Sequence, residues 1–228
     1  MKLIVNEIFT SIDGEVNAWG QGCFSTFVRL AGCNIHCSYC DTEKALSRDA
    51  GVEMTTEQVV EKVLSAGCRK VTITGGEPLV QQEALMILVF ELIHSGVNIS
   101  IETNGTLFPV GWAHRYPQML NWIIDYKLPS SGMAARRMSD AEFVNLPKGS
   151  WVKFVIATEE DWNETLRFLA IAPAHLKIAL SPCMGTPGAI SPEELISRCV
   201  QDKMFNVVIN CQIHKFLLPD GEDFAAIK

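Results

Sequence analysis

The sequence predicts an α/β protein built on a partial, open (βα) TIM-like barrel of about six to seven βα units, with a short N-terminal extension. Short apolar runs rich in valine, isoleucine and phenylalanine alternate along the chain with longer amphipathic segments. This alternation favours parallel strands joined by right-handed helical crossovers. Because fewer than eight units are present, we expect the barrel to stay open.

Seven apolar runs are predicted to be the barrel strands, and one more strand, 3–9, precedes them. The barrel strands are 25–31, 70–74, 98–102, 122–126, 151–157, 176–181 and 206–210. At 228 residues the chain fits one domain. We expect that domain, 1–228, to comprise an N-terminal extension (1–22), the partial barrel (23–215) and a C-terminal tail (216–228).

Four amphipathic segments are predicted to be helices, at 55–66, 81–95, 160–171 and 191–202. Thr55 and Gln58 have the spacing of a capping box at the start of the first segment. Gly96 follows the second segment, where a helix is expected to end. Ser191 and Pro192 open the last segment as a cap and a proline in the first turn.

The composition narrows the class of protein. The chain has 19 lysine and arginine residues against 26 aspartate and glutamate residues, a net charge of −7. This acidic balance argues against nucleic acid as a partner. No apolar run reaches the roughly 18 residues that span a bilayer, so no membrane partner is expected. The N-terminal segment lacks the features of a secretory signal, and we expect a cytoplasmic location.

Three of the eight cysteines, Cys33, Cys37 and Cys40, have the spacing C-x3-C-x2-C. The chain is large for a secreted disulfide scaffold, so closely spaced cysteines favour metal or redox chemistry. Three thiolates would leave one iron of a 4Fe-4S cluster open, whereas four thiolates would close the cluster. Zinc would need a fourth ligand, and His36 is poorly placed beside Cys37. The spacing therefore predicts a 4Fe-4S cluster with an open iron.

Polar or glycine- and proline-rich segments follow nearly every predicted strand, at the end where barrel enzymes gather their chemistry. These segments are 33–42, 75–78, 103–106, 127–131, 181–184 and 212–215. Arg29 is unusual because it interrupts an apolar run in a strand that is expected to be buried. A buried arginine needs an anionic partner. That partner is either a substrate carboxylate or an internal carboxylate such as Glu15 or Glu102.

The cysteine spacing after the first barrel strand, with Gly-Gly-Glu-Pro after the next, resembles the radical S-adenosylmethionine (SAM) enzymes. Further motifs together resemble the 7-carboxy-7-deazaguanine synthases of that superfamily. They are SIDGE (11–15), FVRL (27–30), CDT (40–42), ETNGT (102–106), SGM (131–133) and QxHK (212–215). The resemblance extends over about 7–215, nearly the whole chain.

The resemblance implies a lyase of the 7-deazapurine route to queuosine. Its reaction would be ring contraction of 6-carboxy-5,6,7,8-tetrahydropterin to 7-carboxy-7-deazaguanine with loss of ammonia. The implied cofactors are a 4Fe-4S cluster, SAM and Mg²⁺. The implied partners are the carboxylated pterin, an external electron donor such as flavodoxin or ferredoxin, and a second copy in a homodimer.

The resemblance also implies a set of site residues. Cys33, Cys37 and Cys40 would ligate the cluster, and Thr42 would ligate Mg²⁺ together with the substrate carboxylate and water. Tyr39 would pack against the adenine, and the Glu77 carboxylate would accept hydrogen bonds from the SAM ammonium group. The remaining SAM contacts would be Gly76, Glu102, Asp125, Lys127, Ser181 and Met184. The substrate contacts would be Ile12, Asp13, Gly14, Glu15, Arg29, Thr74 and His214.

The chain departs from the family's S-x-Q-G-E-G pattern at two positions, with Asp13 for glutamine and Val16 for glycine. An aspartate cannot donate as an amide does, and a valine does not share the backbone freedom of glycine. One alternative function is a radical SAM activating enzyme that places a glycyl radical on a protein, although Asp41 and Thr42 stand where those enzymes tend to have His-Asn. A second alternative is a non-catalytic 4Fe-4S redox protein, which would not need the Gly-Gly-Glu-Pro segment.

Overall fold

A sheet of nine strands organises the described residues, 1–108 and 111–217, of this computed structural model. The strands are β1 (Lys2–Ile12), β2 (Phe24–Leu30), β3 (Val52–Thr55), β4 (Lys70–Gly75), β5 (Asn98–Thr103), β6 (Leu120–Asp125), β7 (Trp151–Ile156), β8 (Lys177–Pro182) and β9 (Val208–Ile209). The helices are α1 (Thr56–Ser65), α2 (Gln82–His94), α3 (Asp140–Val144), α4 (Glu159–Ile171), α5 (Pro192–Gln201) and α6 (His214–Leu217).

The strand order within the described residues is β3-β1-β2-β4-β5-β6-β7-β8-β9. The strands from β2 through β4 to β9 pair in parallel, as the alternating pattern predicts. Antiparallel β1 and β3 extend the sheet beyond β2. In the described ranges β3 and β9 remain at opposite edges of the sheet, so the predicted open barrel is confirmed.

Four details differ from the prediction. The strand predicted at 3–9 is longer, and it pairs with β2 as part of the main sheet. The sequence analysis missed β3, a four-residue edge strand that is too short to show an alternating pattern. It also missed the five-residue α3, which is shorter than the helices that periodicity can identify. By contrast, β9 has two residues where five were predicted.

The predicted helix ends are confirmed by their hydrogen bonds. The Thr55 side chain accepts from Gln58 N–H and the Gln58 side chain from Thr55 N–H, so the capping box before α1 is formed. Gly96 has a φ of +76° directly after α2. The Ser191 side chain caps α5. No helix within the two described ranges combines the length and apolar character that crossing a membrane requires.

The two faces of the sheet differ in polarity. On β4, Val71 and Ile73 are fully buried in an apolar core shared with α1 and α2. The alternating residues Thr72 and Thr74 point to the opposite face, where their hydroxyls bond to Asp13 and Glu102. We call this polar side the inner face. It places charged side chains at the carboxyl ends of the strands.

Candidate active site

The three cysteines lie in a loop, residues 33–40, that we call the cysteine loop. It follows β2 directly and is held by backbone hydrogen bonds on both sides. Cys33 N–H donates to the Leu46 carbonyl at 3.0 Å, and Ser38 N–H donates to the Ser131 carbonyl at 3.1 Å. All three cysteines are unpaired thiols of intermediate exposure. The fold therefore presents three accessible thiols from one anchored loop.

The surroundings of these thiols fit a 4Fe-4S cluster. The Asn104 side-chain N–H points at Cys33 Sγ, 3.8 Å away. Burial raises the pKa of the Cys37 thiol, and the positive charge of Lys127 opposes that rise. N–H donors and positive charge favour thiolates and the cluster sulfurs they bind. In the described ranges no three histidine, cysteine or acidic side chains converge tightly enough for a single metal ion.

Gly75 and Gly76 let β4 approach the cysteine loop. Gly76 N–H donates to the Leu30 carbonyl at 3.0 Å, which continues the β2–β4 pairing beyond the strand. A Cβ on Gly75 would overlap the Leu30 carbonyl oxygen, and one on Gly76 would lie 2.5 Å from the Gly32 oxygen. Only glycine permits this contact, so the Gly-Gly pair sets the position of the cysteine loop.

The Glu77 carboxylate is buried between the ends of β4 and β5, which corrects the predicted contact with SAM. The side chain is 0% exposed. One oxygen accepts from Leu79 N–H at 2.9 Å and from the Thr103 hydroxyl at 2.9 Å, and the other accepts from Asn104 N–H at 2.7 Å. Burial raises the pKa of Glu77 to about 7, although these hydrogen-bond donors act to lower it. The carboxylate thus ties the ends of β4 and β5 together and is not available to a SAM ammonium group.

Three predicted SAM contacts lie together near Cys37, as one shared cofactor site requires. They are Asp125, Lys127 and Tyr39. Lys127 Nζ lies 3.0 Å from Asp125 Oδ1 and 5.7 Å from the centre of the Tyr39 ring. The Tyr39 hydroxyl is buried and has no hydrogen-bond partner in the described part of the chain. A buried unpaired hydroxyl is costly, so this position suits a ligand that supplies the missing partner.

Two more predicted SAM contacts, Ser181 and Met184, lie at the end of β8 and in the loop that follows. Ser181 is buried, and its hydroxyl accepts from the Asn210 side chain at 2.8 Å. Met184 is 47% exposed. Cys183, between them, lies near enough to Tyr39 for its charge to raise the pKa of that hydroxyl.

Glu15 is the centre of the predicted substrate group. It accepts from Lys153 Nζ at 2.8 Å, from Asn210 at 3.1 Å and from Gln212 at 2.7 Å. Asn210 also accepts from Val16 N–H at 3.0 Å. We call these contacts of residues 15 and 16 with residues 210 and 212 the seam, because they join the region after β1 to the region after β9. The seam links the two sides of the open barrel without sheet pairing.

Two further contacts belong to the same region. The His214 ring lies so close to Gly14 that a Cβ there would overlap it, and Ile213 N–H donates to the Gly14 carbonyl at 3.2 Å. The Thr74 hydroxyl donates to Glu102 at 2.8 Å. Glu102, predicted as a SAM contact, therefore lies with the predicted substrate residues. Ile12 ends β1 directly before this region.

The Asp13 side chain is buried and bonded to β4, which corrects its predicted side-chain contact with substrate. It is 1% exposed and accepts from Lys70 Nζ at 2.6 Å and from the Thr72 hydroxyl at 2.8 Å. A buried aspartate needs such a cation, which explains how an acid can replace the family's glutamine. Sequence reasoning missed Lys70, although a lysine at the start of an otherwise buried strand was a usable signal.

The Lys70–Asp13 pair predicts a large loss of stability for Lys70→Met. The variant would leave the Asp13 carboxylate buried and unpaired, at a cost of about 3–5 kcal/mol. Urea denaturation measures the free energy of unfolding. Lys2→Met is the matched control, because Lys2 pairs with Glu53 at the surface and such pairs contribute at most about 1 kcal/mol. Equal losses in both variants would contradict the buried pair.

Val16 is accommodated without strain. Among the described residues, Tyr116 and Lys203 are the non-glycine positions with positive φ, and Val16 is not one of them. Its side chain is buried, and its N–H is bonded at the seam. The valine therefore does not need the left-handed backbone that glycine would allow.

Arg29 pairs internally with Glu7, and the predicted internal partners Glu15 and Glu102 are wrong. Its Nε donates to Glu7 at 2.6 Å, and Lys44 Nζ lies 2.9 Å from the same oxygen. The guanidinium also stacks 5.5 Å from the Phe9 ring centre. Among the described residues, none accepts a hydrogen bond from the terminal guanidinium nitrogens of Arg29. Arg29 lies opposite Thr74 in the pairing of β2 with β4, so both side chains are on the inner face.

The Cys-Asp-Thr motif meets the Gln-x-His-Lys motif in space. Asp41 lies 3.1 Å from Lys215 Nζ and accepts from Gln212 at 3.4 Å. The Thr42 hydroxyl donates to Asp41 at 3.0 Å. Gln212 contacts both Asp41 and Glu15, so it connects the cysteine loop to the predicted substrate group.

Comparisons with known proteins cover most of the chain. Residues 28–188 match the family model described as the radical SAM superfamily. A 7-carboxy-7-deazaguanine synthase of Clostridium acetobutylicum is 33% identical over 220 residues, which cover 95% of this chain and 96% of the relative. One of Methanospirillum hungatei is 36% identical over 214 residues, covering 93% and 84%. The crystal structure of QueE from Escherichia coli matches the fold with a TM-score of 0.67 at 22% identity, covering 89% of this chain and 92% of that one.

Proposed function

The chain belongs to the 7-carboxy-7-deazaguanine synthase family of the radical SAM superfamily, and on that premise we propose how its residues serve the reaction. The reaction is the conversion of 6-carboxy-5,6,7,8-tetrahydropterin to 7-carboxy-7-deazaguanine and ammonia. The single observation that supports this function best is the pair of Gln212 hydrogen bonds, because they join Asp41, directly after the cysteine loop, to Glu15 of the predicted substrate group.

Cys33, Cys37 and Cys40 would hold the 4Fe-4S cluster, and the backbone at Gly76 would lie against SAM. When bound, the cluster and SAM supply a 5′-deoxyadenosyl radical that abstracts a hydrogen atom from the substrate. Tyr39 and the Asp125–Lys127 pair would line the adenosine, with Ser181 and Met184 farther along the same rim. Thr42 would offer its hydroxyl to Mg²⁺, with the remaining ligands coming from water and the substrate carboxylate.

The substrate would lie on the inner face between the seam and Arg29. The terminal guanidinium N–H groups of Arg29 suit a carboxylate, which accepts two parallel hydrogen bonds from them. Glu15 suits the donor edge of the pterin, because a carboxylate accepts only. The remaining predicted contacts are Thr74, His214 and the backbone of Ile12, Asp13 and Gly14.

Further proposals concern the whole protein. The chain forms one radical SAM domain, with the cluster reduced by an external one-electron donor such as flavodoxin or ferredoxin. The enzyme is a cytoplasmic homodimer, as the family resemblance implies. Neither an activating enzyme nor a non-catalytic redox protein matches the relatives as well, since those that cover nearly the whole chain are named 7-carboxy-7-deazaguanine synthases.

Arg29→Ala is expected to weaken substrate binding and to spare SAM cleavage. Losing a charged hydrogen-bond pair raises KM about 10- to 100-fold. The assay is anaerobic, with SAM, reductant and the carboxylated pterin, and it follows 5′-deoxyadenosine and deazaguanine together. Arg167→Ala, at an exposed helix position, is the control. Loss of bound iron in Arg29→Ala would show a structural role instead, and wild-type 5′-deoxyadenosine without deazaguanine would reject the proposed substrate.

A further inference from the structure

Among the described residues, the inner face has more carboxylates than lysines. Three carboxylates there are paired with lysines, and Lys153 is shared, because it also lies 3.4 Å from Asp125. The pairs are Asp13–Lys70 at 2.6 Å, Glu15–Lys153 at 2.8 Å and Asp125–Lys127 at 3.0 Å. Glu102 is a fourth carboxylate on this face, and within the described ranges it has no ion pair. The Glu102 carboxyl group accepts a hydrogen bond from the Thr74 hydroxyl at 2.8 Å.

Glu102 is also more accessible than Asp13 and Glu15, and like Asp125 it is of intermediate exposure. Asp13 and Glu15 are buried, at 1% and 8% exposure, whereas Glu102 is intermediate. It lies near the carboxyl end of β5, in line with Thr74 and Arg29 on the neighbouring strands β4 and β2. The side chain therefore reaches the region where the substrate is proposed to bind.

The charges around Glu102 come from several elements. Asp13 and Glu15 face it from the end of β1, and Lys153 faces it from β7. Farther out are Arg29 on β2, Asp125 on β6 and His214 on α6. Burial raises the pKa of Glu102 to about 8, Glu15 and Asp13 add to the rise, and Lys153 and Thr74 oppose it. Burial and the neighbouring carboxylates thus favour the protonated form of Glu102.

We propose that Glu102 is a catalytic acid and base of the ring contraction, a role that rests on the proposed function. As the C–N bond breaks, its electron pair stays on nitrogen, and Glu102 gives that nitrogen a proton so that ammonia leaves. The adjacent ring C–H bond then breaks, its electron pair forms the ring double bond, and the Glu102 carboxylate takes the proton. 7-Carboxy-7-deazaguanine and ammonia together contain every atom of the substrate. The hydrogen atom taken by the 5′-deoxyadenosyl radical must therefore return to the rearranged substrate before this elimination. The elimination then needs no oxidant or reductant, and Glu102 ends in its starting form.

The neighbours of Glu102 suit both halves of this cycle. The paired carboxylates beside it disfavour a second negative charge, which keeps the resting group protonated. Lys153, which already balances Glu15, limits the cost of the transient Glu102 carboxylate. Thr74 holds one carboxyl oxygen, which leaves the other to face the leaving nitrogen.

Glu102→Gln tests the role, because glutamine has the same shape and cannot give up a proton in this way. We expect unchanged iron content and unchanged cleavage of SAM to 5′-deoxyadenosine in the absence of substrate, with the rate of deazaguanine formation reduced about 100-fold or more. In wild type that rate should fall as pH rises through about 8, because the acid form is lost. Glu83→Gln, on the exposed side of α2, is the matched control and should behave as wild type.

A wild-type rate of deazaguanine formation in Glu102→Gln would overturn the acid–base role. Failure of the proposed function looks different, because wild type itself would then make 5′-deoxyadenosine without deazaguanine. In that event, infrared difference spectra of wild type against Glu102→Gln at neutral pH decide the protonation state. A carboxylic acid band lost in the variant supports a neutral Glu102, and a carboxylate band in its place overturns the proposal.

Discussion

Cys37→Ala protein is expected to contain no intact 4Fe-4S cluster and to form 5′-deoxyadenosine only at the uncatalysed background. Cys37 lies between the other two cysteines of the loop, and its thiol is close enough to both for their charges to affect its pKa. Two thiols cannot replace three in holding a cluster with one open iron. Anaerobically reconstituted wild type should carry about four irons per chain, and the variant should carry far fewer.

Cys68→Ala is the control for this result. Cys68 is also an unpaired cysteine of intermediate exposure, but it lies before β4, at the opposite end of that strand from the cysteine loop. Its variant should keep the iron content and the visible absorption of wild type. Full iron loading in Cys37→Ala would mean that another residue ligates the cluster, and the assignment of the loop would fail.

Gly76→Ala is expected to destabilise the protein by about 3 kcal/mol or more and to lower its iron content. The added Cβ would lie 2.5 Å from the Gly32 carbonyl oxygen and 2.7 Å from that of Ala45. Both oxygens are backbone atoms beside the cysteine loop, and Gly32 N–H donates to Ala45 at 2.8 Å. Relief of the overlap must therefore move the loop that holds the cluster.

Gly67→Ala separates this steric effect from the ordinary cost of replacing glycine. Gly67 has a φ of +73° and open space where a Cβ would stand. Its variant should lose about 1–2 kcal/mol through backbone strain and keep its iron. Chemical denaturation of the apoproteins and iron analysis after reconstitution measure both effects. Comparable iron contents in the two variants would contradict the proposed contact.

The sequence was sufficient for features that depend on local signals. Gln58 and Ser191 marked helix starts, and Gly96 marked a helix end, because capping involves residues only a few positions apart. The parallel pairing of β2 with β4 and of the strands that follow was predicted from alternation, and the position of the cysteine loop followed from the strand before it. Most predicted site residues consequently fall at the same end of the sheet.

The remaining details depend on contacts between distant residues. Asp13 lies 57 residues from Lys70, and the Arg29 partner Glu7 became known only from the pairing of β1 with β2. Glu77 shows a similar limit, because its motif indicated its importance and not the direction of its carboxylate. Three-dimensional packing decides which carboxylate pairs with which lysine or arginine, and a single sequence contains no direct signal for these pairs.

The seam has a consequence for how the molecule folds and opens. Its Glu15–Asn210 contact joins residues 195 positions apart, whereas the Thr74–Glu102 contact joins residues 28 positions apart. By loop-closure entropy alone, the longer connection costs about 2 kcal/mol more to close. We therefore expect the seam to form late in folding and to separate before the parallel sheet does. A local opening of this kind would give the buried site an entrance while the sheet and its apolar core stay folded.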